Sequence, residues 1–119
     1  MADLINFRLS KKANEVAELL ATSGYFDFAV TAAKFALAYA IKYHFDEINP
    51  ATYTPSDSDG SNYGIGSLDS DGQIAILLKA IYPDCTTPYL YARNLMVFGL
   101  LKIGERIENE GLKSISAFL

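Results

Sequence analysis

One segment constrains this chain more than any other. Ile5-Asn6-Phe7-Arg8-Leu9-Ser10 alternates apolar and polar side chains with the period of two that marks a half-buried strand. Ile5, Phe7 and Leu9 fall on one face; Asn6, Arg8 and Ser10 fall on the other. No second segment alternates convincingly. A solitary strand leaves a row of backbone donors and acceptors without partners. The expectation is that a second copy of the chain supplies the missing strand, in a homodimer or a higher oligomer.

The rest of the pattern is helical. Ser10 is placed to cap a first helix, with Ala13, Val16, Ala17, Leu19 and Leu20 at helical spacing and Gly24 ending it. Asp27 is placed to cap a second helix over about residues 28–44. Phe28, Val30, Phe35, Leu37, Tyr39 and Ile41, with alanines between, make that helix apolar nearly all round, which requires burial on several sides. A second copy would supply part of that cover, so Ile5, Phe7, Leu9, Phe28, Phe35 and Tyr39 are the candidate oligomer interface.

Residues 46–69 are rich in Asp, Ser, Gly and Tyr and read as a long acidic loop, either mobile or functional. Ser70 and Gln73 match a capping box ahead of a third helix that carries Ile74, Ile76, Leu77, Leu78 and Ile81 and ends near Pro83. Thr87-Pro88 opens a fourth helix reaching about residue 110, with Leu90, Val97, Phe98, Leu101 and Ile107 inward and Gly111 as its stop. The fold class is therefore mainly α: one domain over residues 1–119, made of a strand and two helices (1–45), the acidic loop (46–69) and the C-terminal helices (70–119).

Composition supports this and narrows function. The chain has 119 residues, half of them hydrophobic, enough for a core without metal or disulfide staples. A mean hydropathy of +0.12 suggests apolar surface left over for a partner. Cys85 is the only cysteine, which excludes an internal disulfide and fits a reducing compartment, so the expected location is cytoplasmic. Residues 1–9 lack the pattern of a signal peptide. The apolar run over 28–41 is interrupted by Lys34 and is shorter than a membrane span of about 20 residues. The net charge of −4 sits in the middle: residues 46–86 carry −6, and each flank carries +1. Neither flank is a strong basic patch of the kind phosphates reward.

A strand, a helix, a glycine turn and a second helix, in that order, resemble the ribbon-helix-helix module. That resemblance implies two strands forming an antiparallel ribbon across a two-fold axis, with outward side chains able to enter the DNA major groove. It places Asn6 and Arg8 at base edges, where asparagine reads adenine and arginine reads guanine. The other reading of the same residues is a ribbon that serves dimerisation alone, with Arg8 in solvent.

A wider resemblance covers nearly the whole chain. The order Phe7-Arg8-Leu9-Ser10, Leu19-Leu20, Ser23-Gly24-Tyr25, the apolar second helix, the acidic loop, Gly66-Ser67-Leu68-Asp69-Ser70-Asp71-Gly72 and the closing helix is similar to the DndE-type DNA sulfur modification (phosphorothioation) proteins. It implies a non-enzymatic, DNA-associated accessory protein acting as a homo-oligomer (homodimer or homotetramer), with further partners in a modification or restriction apparatus. Asn6, Arg8, Lys11 and Lys12 are then the candidate DNA contacts. The loop departs from the family in having Tyr63-Gly64-Ile65-Gly66, and its basic surface is thin. The alternative function is a protein–protein interaction scaffold of the same fold without DNA binding.

Other constellations are bland. Asp57-Ser58-Asp59-Gly60 lacks EF-hand spacing. His44 reads as a helix-end residue favoured by the dipole, and Asp69 and Asp71 as acids at a helix start. No P-loop, GxGxxG, HExxH or CxxC pattern occurs. The expectation is no catalytic residue, no metal and no cofactor.

Overall fold

Ser10 starts the first helix, two residues after the opening strand ends. In the computed structural model, which describes residues 2–119, its side-chain oxygen accepts a hydrogen bond from the Ala13 N–H at 3.3 Å. Strand β1 (Asn6–Arg8) therefore leads directly into α1 (Lys11–Thr22), which buries Ala13, Val16, Ala17 and Leu20. Gly24, at φ +92°, turns the chain after α1. Helix α2 (Ala29–Tyr43) follows and is succeeded by a short 3-10 turn, Phe45–Glu47. Asp27 does not cap α2: the N-cap is the extended Phe28, with no side-chain cap bond.

The segment over residues 46–69 is more ordered than its composition suggests. It contains β2 (Asn62–Gly64) and the single-turn α3 (Ile65–Leu68). Helix α4 (Gln73–Ile81) and the 23-residue α5 (Pro88–Glu110) come next, and a 3-10 segment, Leu112–Phe118, closes the chain.

The expectation for the opening strand is corrected here. β1 pairs antiparallel with β2 of its own chain, with Asn6 opposite Gly64, Phe7 opposite Tyr63 and Arg8 opposite Asn62. The missing strand lies in the acidic loop. The two-fold ribbon is replaced by a ribbon closed within one protomer, and the backbone groups on that edge are satisfied without a second copy.

The helices are held by carboxylates brought from elsewhere in the chain. Asp3 accepts from the N–H groups of Tyr89 and Leu90, both at 2.9 Å, at the start of α5. Asp69 accepts from those of Ile74 (2.9 Å) and Ala75 (3.1 Å) in the first turn of α4. Asp57 accepts from the Lys11 N–H (2.7 Å) at the start of α1. Each meets backbone donors that a helix start leaves free and opposes the dipole there with negative charge. The expected Ser70/Gln73 box is thus replaced by Asp69, which reaches past the left-handed Gly72.

Helix α5 runs through the centre. Leu95, Met96, Val97, Leu100 and Ile103 on it are wholly enclosed. It crosses α2 where Gly99 meets Ala36: a Cβ at Gly99 would lie 2.1 Å from the Ala36 carbonyl oxygen. Only glycine permits that approach. The alanine face of α2 (Ala32, Ala33, Ala36, Ala40) is the matching surface. No helix among the described residues is long and apolar enough to cross a membrane.

Candidate binding surfaces

The alternation in β1 decides which of its side chains reach solvent. Phe7 (3% exposed) and Leu9 (0%) point inward; Asn6 and Arg8 point outward beside Lys11 and Lys12 at the start of α1. The four candidate DNA contacts are therefore all exposed and lie close together in sequence. Their surroundings temper the charge. The Arg8 guanidinium donates to the Gly60 carbonyl at 3.1 Å, and Lys12 pairs with Glu108 at 3.4 Å. The Lys11 N–H is held by Asp57. Bonds to Lys11 and Asp59 N–H groups keep the Asp57 carboxyl below its usual range, so a negative charge stands beside these cations at neutral pH.

Gly60 and Asn14 fix this surface. Gly60 N–H donates to the Leu9 carbonyl at 3.0 Å, and a Cβ there would lie 2.7 Å from that same oxygen. The Asn14 side-chain oxygen accepts from the Ser61 N–H (3.2 Å) and the Tyr63 hydroxyl (3.1 Å), tying α1 to β2.

The expected oligomer interface divides in two. Phe7, Leu9 and Tyr39 belong to the core of their own protomer, which corrects their assignment to a surface between copies. Phe7 stacks on Tyr63. Tyr39 (4% exposed) accepts from the Arg106 Nε at 3.0 Å and packs on Phe118. The period identifies a buried face without identifying what covers it. Phe35 is half-buried between Phe26 and Tyr39. Ile5 (86% exposed) and Phe28 (68%) remain in solvent.

Sequence reasoning missed a second apolar surface. α4 is apolar nearly all round but packs mainly on α5, and it encloses Leu78 alone. Ile76 (61% exposed) and Leu77 face outward. The signal was in the sequence, since a helix without a polar face requires cover on more than one side.

The remaining candidates have structural employment. His44 ends α2, and its ring bonds Glu47; that bond, with Lys102 nearby, holds the Glu47 carboxyl below its usual range. Cys85 is buried, and burial raises its thiol pKa. Among the described residues, the Tyr82 hydroxyl is buried with no hydrogen-bond partner. Comparisons with family profiles, curated proteins and solved structures give no match for this chain.

Proposed function

We propose that the chain is a non-catalytic binding module that associates with itself or with other proteins through apolar surface on α4 and around Phe28. The outward face of α4 carries this reading. Burying Ile76 and Leu77 from their present exposure would contribute about 2–3 kcal/mol at the usual value for large aliphatic side chains. The acidic groups support it as well. Asp3, Asp57 and Asp69 serve as helix caps, an occupation that holds the fold rather than a reacting group.

This reading keeps the homo-oligomer implied by the DndE-like resemblance and moves the contact away from the strand. Light scattering tests it. The expected result is a particle heavier than the 13.0 kDa protomer, falling to protomer mass in the Ile76→Ser, Leu77→Ser double variant. A mass of one protomer at every concentration overturns self-association.

A second reading, DNA association, is favoured by one observation: Asn6 and Arg8 stand two residues apart on the solvent face of a strand, beside Lys11. Titration against intact and nicked duplex at low and moderate salt separates the two. Phosphate engagement gives binding that weakens steeply with salt and weakens further in Arg8→Ala. No binding at low salt leaves the protein-contact reading alone.

A further inference from the structure

A groove of about 540 Å³ lies where the end of α1, the start of α2 and β2 meet. Phe28 and Val30 line it from the start of α2, Tyr63 from β2 and Ser67 from α3. Its ionised side chains are Glu18 and Asp27, and no cation lines it. Burial first, then the charge of Glu18, raise the Tyr63 pKa, so that charge is felt at the groove wall. No ion pair among the described residues engages Glu18 or Asp27. Phe28 keeps most of its ring in solvent.

A surface of the opposite character stands beside it on the same chain. Asn6 is opposite Gly64 in the ribbon, so the register carried one step further sets Ile5 opposite Ile65. Ile65 lies between Tyr63 and Ser67 in sequence, and both of these line the groove. Ile5 nevertheless leaves that groove empty and is the most exposed large apolar side chain among the described residues. The nearest cations along the chain are Arg8 and Lys11, and no ion pair among the described residues engages either. Arg8 donates to the Gly60 carbonyl. Asp57 stands beside Lys11 but accepts from backbone N–H groups.

A knob and a groove that are neighbours on one chain can be exchanged between two copies, each knob entering the other's groove. That reciprocity is the form of a two-fold contact. We infer that two copies of the chain associate in this way, with Ile5 of each against Phe28 and Val30 of the other and with Arg8 and Lys11 facing Glu18 and Asp27. The apolar contacts supply affinity. The charges set the orientation, because exposed ion pairs contribute little by themselves.

The inference rests on the self-association proposed above and names what fills the surface around Phe28. Neither Ile5 with Phe28 nor Ile76 with Leu77 supplies alone the roughly 800 Å² per partner that a stable interface buries. Loss of either surface is therefore expected to release the protomer.

The test is sedimentation velocity of the full chain over a wide concentration range at low salt. The parent is expected to be heavier than the 13.0 kDa protomer. Ile5→Ser and Phe28→Ser change exposed side chains, and serine caps a helix better than phenylalanine does, so both keep the fold. Each is expected to raise the dissociation constant by about ten-fold or more, since a two-fold contact loses the side chain twice.

Charge exchange identifies the pairing. Lys11→Glu and Glu18→Lys both suit the α1 dipole. Each alone is expected to weaken association, and an equimolar mixture of the two is expected to recover it. A mixture that associates no better than either variant overturns the inference. A heavier parent whose mass Ile5→Ser and Phe28→Ser leave unchanged overturns it alone and leaves α4 as the contact. A parent of one protomer's mass at every concentration overturns both it and the proposed self-association, and gives the groove to a different partner.

Discussion

Phe7 and Tyr63 stand directly opposite each other in the two-stranded ribbon, their rings stacked at 5.3 Å between centroids. One comes from the opening strand and the other from the acidic segment, so this contact joins the N-terminal strand to the loop. Phe7 is nearly enclosed, and truncating such a ring costs about 3–5 kcal/mol. Phe7→Ala is expected to lower the thermal midpoint by the same amount at low and high protein concentration, because the ribbon closes within one chain. Calorimetry at two concentrations checks this. A loss that disappears at high concentration would return the strand to a contact between copies.

Asp69 bonds two backbone N–H groups of α4 and the Tyr89 hydroxyl, the last at 2.9 Å. Burial alone would raise its pKa. The bonds from Ile74, Ala75 and Tyr89, with the charge of Lys34, outweigh burial and bring it below the usual carboxylate value. A carboxyl depressed in the folded state adds stability that is present above its unfolded pKa and is lost as pH falls through the folded one. Asp69→Asn is therefore expected to cost about 1–3 kcal/mol at neutral pH. The gap from the parent should narrow in acid, below about pH 4. Denaturant melts across that range measure it. A gap independent of pH would mean that the carboxylate charge contributes nothing.

Gly99 sets the spacing of α2 and α5. With an added methyl 2.1 Å from the Ala36 carbonyl oxygen, the obstacle is backbone and cannot rotate away. The intrinsic preference for alanine in helices is about 1 kcal/mol and opposes this cost. Overpacking of a close crossing costs typically about 1–3 kcal/mol, and here the clash is with a rigid group. Gly99→Ala is expected to destabilise despite its better helix propensity. Unfolding free energy decides it, and a neutral or stabilising result would show that the helices part freely.

Much of this architecture was legible because short-range periodicity carries it. Ser10, Gly24, Pro88 and Gly111 punctuate the chain where local backbone needs place them. β2 was not legible. Asn62-Tyr63-Gly64 is three residues long, too short for a period of two to show, and its one inward ring sits among turn-forming residues. The caps were hidden for another reason. A capping box is sought within four residues, whereas Asp3 reaches donors 86 and 87 residues away. For the candidate site, alternation correctly turned Asn6 and Arg8 outward. It could not tell whether Phe7 and Leu9 were covered by another copy or by their own chain, since either gives the same pattern.

Cys85 follows the Pro83-Asp84 turn and is 7% exposed. Burial raises its thiol pKa, the bond from the Thr87 backbone lowers it, Asp3 raises it further, and the balance is upward. Thiol reagents attack through the thiolate, so a raised pKa reduces the reactive fraction at neutral pH and burial restricts access. Labelling of the native protein with a chromogenic disulfide reagent is therefore expected to be far slower than labelling in denaturant. Its rate should keep rising with pH beyond the point where a free cysteine levels off. Asp3→Asn bears on both effects. It weakens the cap on α5 and removes a charge that disfavours the thiolate, so it is expected to speed labelling. Because loosening and charge removal act in the same direction, the pH profile separates them: a shift of the midpoint reports the charge, and a uniform rise reports the opening. Rapid labelling of the native parent at neutral pH would contradict the buried, high-pKa thiol.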